Sequence, residues 1–250
     1  MKTGILLSVR EKATRLPGKV LLPLGDYNVT EHLLYRLQDS KYTDDVILST
    51  SIDPRDDVLV QIAKKLRMNY FTGSRDDKLV RYRDTARHFD LDFLVVVDGD
   101  DPFVSIDHID NIILYARDNF VDYIQYIGLP IGAIGFGVRT IALERICDEK
   151  REQNTEVWGH FFTENINYKS KLLEDSRAKY NRTDIRMTLD YPDDYKFFQS
   201  VMIGLKSQKK FPTFSNIINY LTDHPEVVKI NSELESVYEE NLKSSMMKTN

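Results

Sequence analysis

The sequence contains almost no cysteine and no long hydrophobic run. Its one cysteine, Cys147, excludes an intrachain disulfide and fits a reducing compartment, so we expect a cytoplasmic protein. No apolar stretch approaches the roughly 20 residues that a membrane helix needs, and we expect no contact with a membrane. The apolar start is interrupted by Ser8 and Arg10 and lacks a cleavage site, which indicates a first β-strand rather than a signal peptide.

Several motifs of well-known catalytic sites are also absent. Neither GxxxxGK[ST] nor GxGxxG occurs, so ATPase and dinucleotide-binding functions lose their usual support. HExxH, CxxC and GxSxG are missing as well, which makes zinc hydrolysis and serine esterase chemistry poor alternatives. The net charge of −5 at pH 7 argues against a general affinity for nucleic acid, but it is compatible with a local basic pocket for a polyphosphate.

The first half of the chain alternates short β-branched runs with amphipathic stretches, which is typical of a mostly parallel sheet with helices. The predicted strands are Ile5–Val9, Val46–Ser51, Asn69–Thr72 and Phe93–Val97. The predicted helices are Thr30–Gln38, Pro54–Leu66, Leu79–Phe89 and Ile106–Asn119. The pattern therefore predicts an α/β fold.

The pattern weakens between residues 123 and 180, where we expect an inserted segment with helices at Thr140–Glu152 and Glu156–Asn165. It becomes regular again at DIRMTLD, a predicted strand over residues 184–190 that would continue the sheet, and in a helix that starts near Pro192. We expect one domain over residues 1–225 and a helical tail over residues 226–250.

Charged side chains follow three of the predicted strands. In an open α/β sheet, ligands bind beyond the carboxyl ends of the strands. The loop from Arg10 to Lys19 combines cations with Gly18 and is suited to phosphate oxygens, although a solvated basic loop would look the same.

Carboxylates end the other two strands. Asp98, Asp100 and Asp101 follow an apolar strand, and Asp190 follows another. Such crowding of carboxylates is costly without a cation, and oxygen ligands of this kind suit Mg²⁺ bridged to substrate phosphates. A plain polar turn is the alternative for the first cluster, since aspartate is common in turns.

In combination, the motifs of this sequence resemble those of the cytidylyltransferase family that includes the CMP-sialic acid and CMP-Kdo synthetases, most closely the spore-coat polysaccharide SpsF branch. The resemblance spans about residues 3–205. In chain order, the motifs are RxxxTRLPGK with RLPGKVL, EHLLYRL, TS-x-D-P-x-D-D, GSRDDKLVRY, GD-x-P and R-x-TLD-x-P-x-DY. The resemblance implies a Rossmann-like three-layer sandwich, the nucleotide-diphospho-sugar transferase fold, with an inserted acceptor or dimerisation segment.

The resemblance also implies roles for particular residues. The catalytic residues would be Arg15, Lys19 and Asp100, and the Mg²⁺ ligands would be Asp100 and Asp190. The nucleotide would contact Ser8, Arg10, Arg15, Lys19, Ser74, Arg81 and Asp98. The segment from Glu156 to His160 replaces the usual acceptor motif of the family, and Glu156, Trp158 and His160 are the expected acceptor-binding residues.

The activity implied by the resemblance is transfer of CMP from CTP to a small acidic or phosphorylated acceptor, with Mg²⁺ as cofactor and pyrophosphate as product. Two alternatives remain open on the same fold. One is a nucleotide-sugar-binding or glycosyltransferase-like protein, and the other is a nucleotidyltransferase for a phosphorylated or phosphonate acceptor. A homodimer is expected from the family.

Overall fold

A seven-stranded β-sheet forms the centre of this protein in the computed structural model, which describes residues 1–234. The strands of the main sheet are β1 Thr3–Ser8, β4 Asp45–Ser51, β5 Asn69–Gly73, β6 Phe93–Asp98, β7 Tyr123–Ile127, β8 Phe136–Arg139 and β9 Ser170–Glu174. A small hairpin consists of β2 Pro23–Leu24 and β3 Tyr27–Asn28. The helices are α1 Val29–Leu37, α2 Asp57–Leu66, α3 Lys78–His88, α4 Ile106–Asp118, α5 Thr140–Glu149, α6 His160–Thr163, α7 Pro192–Ser207, α8 Phe214–Asp223 and α9 Pro225–Val228.

The strand order of the main sheet is β5-β4-β1-β6-β8-β7-β9. Neighbouring strands are parallel, except that β8 runs antiparallel to both β6 and β7. Parallel neighbours need crossover connections, and α1, α2 and α3 lie in the connections between β1, β4, β5 and β6. The carboxyl ends of β1, β4 and β6 consequently meet at one edge of the sheet.

Alternate residues of the central strands enter two separate cores. On β6, Val95 belongs to the core that contains Ile109 of α4, whereas Val96 belongs to the core that contains Leu79 of α3 and Leu143 of α5. Successive side chains of a strand point to opposite faces, so the sheet is covered by helices on both sides. This arrangement confirms the predicted Rossmann-like three-layer sandwich.

The elements predicted for the first half of the chain are confirmed, with ends that differ by at most three residues. The largest difference is at Pro54, which opens a 3₁₀ turn, Pro54–Asp56, instead of the first turn of α2. The side chain of Asp53 caps this turn by accepting a hydrogen bond from the backbone N–H of Arg55.

The predicted strand at residues 184–190 is wrong. Residues 185–190 are buried, but within residues 1–234 the only β-pairing of the segment is an isolated bridge between Arg186 and Ile131. The N–H of Met187 donates to the carbonyl of Ile131 at 2.8 Å, whereas the N–H of Leu189 donates to the carbonyl of Asp100 at 2.7 Å. Since its hydrogen bonds go to two different loops, the segment forms no regular ladder.

The predicted helix Glu156–Asn165 is also wrong over most of its length, because only α6 is helical there. Buried Thr155 ties the preceding loop to the start of α3. Its N–H donates to the carbonyl of Asp76, and its hydroxyl donates to the side chain of Asp77. These bonds hold the chain in an irregular conformation up to α6.

The segment expected to be an insertion supplies β7, β8 and β9 to the main sheet. The strands β7 and β8 are short, and the loop between them contains Gly128 and Gly132, both with positive φ. This explains why the sequence pattern is weak there. Of the predicted helical tail, α9 lies within the described residues, and residues 235–250 lie outside them. Within residues 1–234, no helix has the length and apolarity needed to span a membrane.

Gly132 provides a test of how the 184–190 segment is held. It has a φ of 79°, and a Cβ atom there would lie 2.3 Å from the carbonyl oxygen of Met187. We expect Gly132→Ala to lower the free energy of unfolding by about 2–4 kcal/mol, measured by denaturant titration.

Gly18→Ala is the matched control, because Gly18 has a similar φ of 67°, but among residues 1–234 no atom beyond its chain neighbours lies within 4 Å of the added Cβ. It should cost only the left-handed backbone penalty of about 1–2 kcal/mol. Equal losses in the two variants would contradict the close approach at Gly132.

Candidate active site

A cavity of about 790 Å³ opens beyond the carboxyl ends of β1 and β6. The loop after β1, the turn after β6, the start of α3 and the segment before α7 contribute to its walls. Nine of the residues selected from the sequence line it: Ser8, Arg10, Arg15, Lys19, Arg81, Asp98, Asp100, Glu156 and Asp190. The structure thus brings together residues that are up to 182 positions apart in the chain (Ser8 to Asp190).

The basic loop after β1 is anchored at its start by Asp56. The backbone N–H of Glu11 donates to Asp56 Oδ1 at 2.7 Å, and the hydroxyl of Ser51 donates to Asp56 Oδ2 at 2.5 Å. The loop ends at Gly18, whose left-handed conformation leads into a 3₁₀ turn that carries Lys19. Both ends of the loop are therefore fixed relative to the sheet.

Lys19 lies between two carboxylates from distant parts of the chain. Its Nζ donates to Asp100 Oδ2 at 2.6 Å and to Asp190 Oδ1 at 2.8 Å. Burial lowers the pKa of Lys19, but the charges of Asp100 and Asp190 outweigh burial and raise this pKa above its ordinary value. For Asp100 the directions are opposite. Burial raises its pKa, but the charge and the hydrogen bond of Lys19 together outweigh burial and lower the pKa below its ordinary value. Lys19 thus joins the loop after β1 to the turn after β6 and to the segment before α7.

Asp190 is held by further cations and by α7. Arg15 approaches Asp190 Oδ1 at 2.8 Å, and Arg186 approaches Asp190 Oδ2 at 3.3 Å. The fully buried carboxylate of Asp194 accepts the backbone N–H groups of Asp190 and Tyr191, each at 2.9 Å. This network fixes the Asp190 carboxylate at the cavity wall without a regular strand.

Lys78 is a cavity residue that sequence reasoning missed. Its Nζ lies 3.3 Å from Asp98 Oδ1 and 3.1 Å from Glu156 Oε1, and Glu156 also pairs with Arg10. Burial lowers the pKa of Lys78, but Asp98 and Glu156 raise it above its usual range. The signal was available, since Lys78 follows the helix-capping Asp77 inside GSRDDKLVRY.

Asp101 does not line the cavity. Burial and the neighbouring charges of Asp100 and Asp98 raise the pKa of Asp101 well above its ordinary value. Of the three crowded carboxyl groups, Asp98 is paired with Lys78 and Asp100 is paired with Lys19.

Arg81 is fully buried beside the end of β1. One guanidinium nitrogen donates to the hydroxyl of Ser8 at 3.2 Å, and another donates to the carbonyl of Ser74 at 2.9 Å. Within residues 1–234, its Nε–H has no hydrogen-bond partner. Burial lowers the pKa of Arg81. A desolvated cation with unused donor capacity favours an acceptor group on a ligand.

Three expected site residues, Ser74, Trp158 and His160, do not line this cavity, and their assignment stays a prediction. The hydroxyl of Ser74 instead accepts the N–H of Asp77. Trp158 is only 4% exposed and packs against Tyr82 and other aromatic rings in the core, because the loop before α6 turns its ring inward. His160 stacks on the neighbouring Phe161. Of the expected acceptor residues, only Glu156 reaches the cavity.

The carboxylates of the cavity fit a divalent cation that is shared with substrate phosphates. Asp100 and Asp190 converge on one point, because both contact the same ammonium nitrogen of Lys19. Within the described residues, no group of three or more His, Cys, Asp or Glu side chains forms a metal cage. Mg²⁺ is typically bound through one or two carboxylates together with phosphates. Arg10 and Arg15 supply the cations that phosphate oxygens need.

Comparison with known proteins agrees with this geometry. A family model described as cytidylyltransferase matches residues 5–241. The chain belongs to the cytidylyltransferase family. An uncharacterized protein of Methanocaldococcus jannaschii is 31% identical over 240 residues, which cover 94% of this chain and 96% of that protein. The spore coat polysaccharide biosynthesis protein SpsF of Bacillus subtilis is 25% identical over 228 residues, 88% of this chain and 94% of that one.

Solved structures of cytidylyltransferases share the fold. A cytidylyltransferase from Leptospira borgpetersenii has a TM-score of 0.81 at 26% identity, covering 91% of this chain and 97% of that one. A CMP:2-keto-3-deoxy-manno-octonic acid synthetase complexed with CTP has a TM-score of 0.63 at 15% identity, covering 84% and 100%. A Mycobacterium tuberculosis protein in complex with manganese has a TM-score of 0.54 at 18% identity, covering 79% and 97%. The last two show similarity of fold alone.

The anchoring of the basic loop in this family member can be tested at Asp56. We expect Asp56→Ala to accelerate hydrogen exchange of the Glu11 amide by at least about tenfold, because the variant removes a hydrogen bond to a carboxylate. The measurement is native-state hydrogen exchange. Asp57→Ala is the control, since Asp57 is the next residue in the chain and its side chain is exposed. Unchanged exchange at Glu11 in Asp56→Ala would contradict the anchoring.

Proposed function

We propose that this protein transfers CMP from CTP to a small acidic sugar or to a similar acidic or phosphorylated acceptor and releases pyrophosphate. The observation that carries the proposal is the meeting of Asp100, Asp190 and Lys19 beside Arg10 and Arg15 in one cavity at the carboxyl edge of the sheet. Membership of the cytidylyltransferase family and the presence of CTP in a synthetase of the same fold support it.

The triphosphate would bind to the basic loop. Arg10, Arg15 and Lys19 are cavity-lining cations on one short segment, so they can neutralise several phosphate oxygens together. An acceptor oxygen would attack the α-phosphorus of CTP in line, the bond to the bridging oxygen would break, and pyrophosphate would leave with the electron pair. Arg15 and Lys19 would stabilise the charge on the departing pyrophosphate. Positioning and charge neutralisation account for most of the rate in such transfers.

Asp100 and Asp190 would hold the divalent cation. Their carboxylates converge on one point and line the cavity. Mg²⁺ bound there would add positive charge next to the phosphates and help to orient them. The manganese complex of a protein with the same fold supports the use of a divalent cation.

The base of the nucleotide would lie near Ser8 and Arg81. Both line the cavity, and the free Nε–H of Arg81 offers a buried donor to a carbonyl or ring nitrogen. A buried donor that gains a partner discriminates strongly against bases without that acceptor. This arrangement supports a preference for one nucleotide, and the family indicates CTP.

The acceptor would bind near Glu156, where Lys78 and Lys12 also line the cavity. These cations favour an acceptor with negative charge. Ser74, Trp158 and His160 have no part in the proposal, because they do not reach the cavity. The homodimer and the cytoplasmic location expected from the sequence stay predictions.

The proposal is tested by measuring pyrophosphate release with each of the four NTPs and Mg²⁺, against a panel of 3-deoxy-2-keto sugar acids, sugar phosphates and phosphonates. We expect release with CTP and with at least one acidic acceptor. Binding of CTP without release across the panel would overturn the transferase proposal and favour a nucleotide-sugar-binding protein on this fold.

The metal assignment yields a second prediction, for Asp100→Asn. We expect CTP-dependent pyrophosphate release to fall by about 10²–10³, because the variant removes an electrostatic contact that acts in the transition state. Asp107→Asn, an exposed position at the start of α4, is the control and should keep the wild-type rate. Wild-type turnover of Asp100→Asn at saturating Mg²⁺ would refute the role of Asp100.

A further inference from the structure

Lys19 already satisfies the carboxylates that the proposed function assigns to the divalent cation. Its Nζ is 2.6 Å from Asp100 Oδ2 and 2.8 Å from Asp190 Oδ1. These are short, charge-assisted contacts between a buried ammonium and two carboxylates. A divalent cation at the point where the two carboxylates converge would take the place of the ammonium, so Lys19 and the cation would compete for that position.

We propose that Lys19 is an internal competitor of the divalent cation, so that the protein binds the cation together with the nucleotide and only weakly before it. The proposal rests on the proposed function, since it takes Asp100 and Asp190 as the ligands. It adds an order of binding and a second role for Lys19.

The charge balance around Asp190 supports this competition. Arg15 shares Asp190 Oδ1 with Lys19, and Arg186 faces Asp190 Oδ2. A single carboxylate is thus surrounded by three cations. An arriving divalent cation gains little from a carboxylate whose charge is already compensated, and it is repelled by the cations around it.

A triphosphate would change that balance. It brings several negative charges to the same cavity and offers Lys19 and Arg15 new oxygen partners. Lys19 has a flexible four-carbon stem, so its ammonium can move from the carboxylates to a phosphate without refolding of the loop. Asp100 and Asp190 would then be released for the cation. Nucleotide and cation would bind with positive coupling, because each removes the cost of binding the other.

The test measures Mn²⁺ binding to the nucleotide-free protein, with free Mn²⁺ followed by electron paramagnetic resonance. Lys19→Met removes the ammonium and keeps the length of the side chain, and it should bind Mn²⁺ at least about tenfold more tightly than the wild type. Lys19→Arg keeps the charge and should bind as weakly as the wild type. Lys65→Met is the matched surface control, because Lys65 is 71% exposed and pairs with Glu31 away from the cavity.

A second readout guards against a folding defect in Lys19→Met. If Mn²⁺ fills the place of the ammonium, the metal should raise the Tm of Lys19→Met in proportion to its occupancy and leave the Tm of the wild type almost unchanged. The double variant Lys19→Met with Asp100→Asn should lose the gain in Mn²⁺ affinity.

The outcomes separate this inference from the proposed function. Equal, tight Mn²⁺ binding by the wild type and Lys19→Met, abolished by Asp100→Asn, would overturn the competition and keep Asp100 as a ligand. Weak Mn²⁺ binding by a folded Lys19→Met would also overturn the competition. CTP-dependent pyrophosphate release, measured independently, decides the proposed function in either case.

Discussion

The bridge from Lys19 to Asp100 and Asp190 is the interaction on which the site depends. Three carboxyl groups crowd the end of β6, and such crowding is stable only when each charge is compensated. The fold supplies that compensation from two directions, with Lys19 from the loop after β1 beside Asp100 and Lys78 from the start of α3 beside Asp98. The Lys19 ammonium holds the two carboxylates in place within the protein, and it can also move to phosphate oxygens. The same interaction therefore stabilises the site and takes part in its proposed chemistry.

The second carboxylate of the bridge owes its position to a buried polar network. Asp194 accepts hydrogen bonds from Arg186 and from the side chain of Asn231, as well as from the backbone next to Asp190. Arg186, Asp190, Asp194 and Asn231 are all buried, so the hydrogen bonds among them would be costly to break. An irregular segment can therefore hold a carboxylate as firmly as a strand end. The segment also requires a glycine at position 132, because a side chain there would collide with the carbonyl of Met187.

The sequence was sufficient to predict the first half of the fold and most of the cavity. Strands such as β6 are continuous apolar runs between clear helical segments, and the residues after them lie at one edge because the strands are parallel.

The sequence was insufficient where tertiary contacts determine the local structure. Residues 184–190 alternate like a strand, yet their hydrogen bonds go to two separate loops. The strands β7, β8 and β9 are short, and only their pairing identifies them. Trp158 was assigned from its place in a motif, but its side-chain direction depends on the loop anchored by Thr155. Lys78 was missed although it lies in the GSRDDKLVRY motif, because its pairing with Glu156 joins residues 78 positions apart and is visible only in the structure.

The most direct test of the account is a crystal structure of the protein with CTP and Mn²⁺, in which the metal is located by its anomalous scattering. We expect one strong anomalous peak within ligand distance of both Asp100 and Asp190, with the triphosphate on the basic loop and the Lys19 ammonium on phosphate oxygens. Nucleotide bound outside this cavity, or a peak distant from both carboxylates while Lys19 still bridges them, would contradict it.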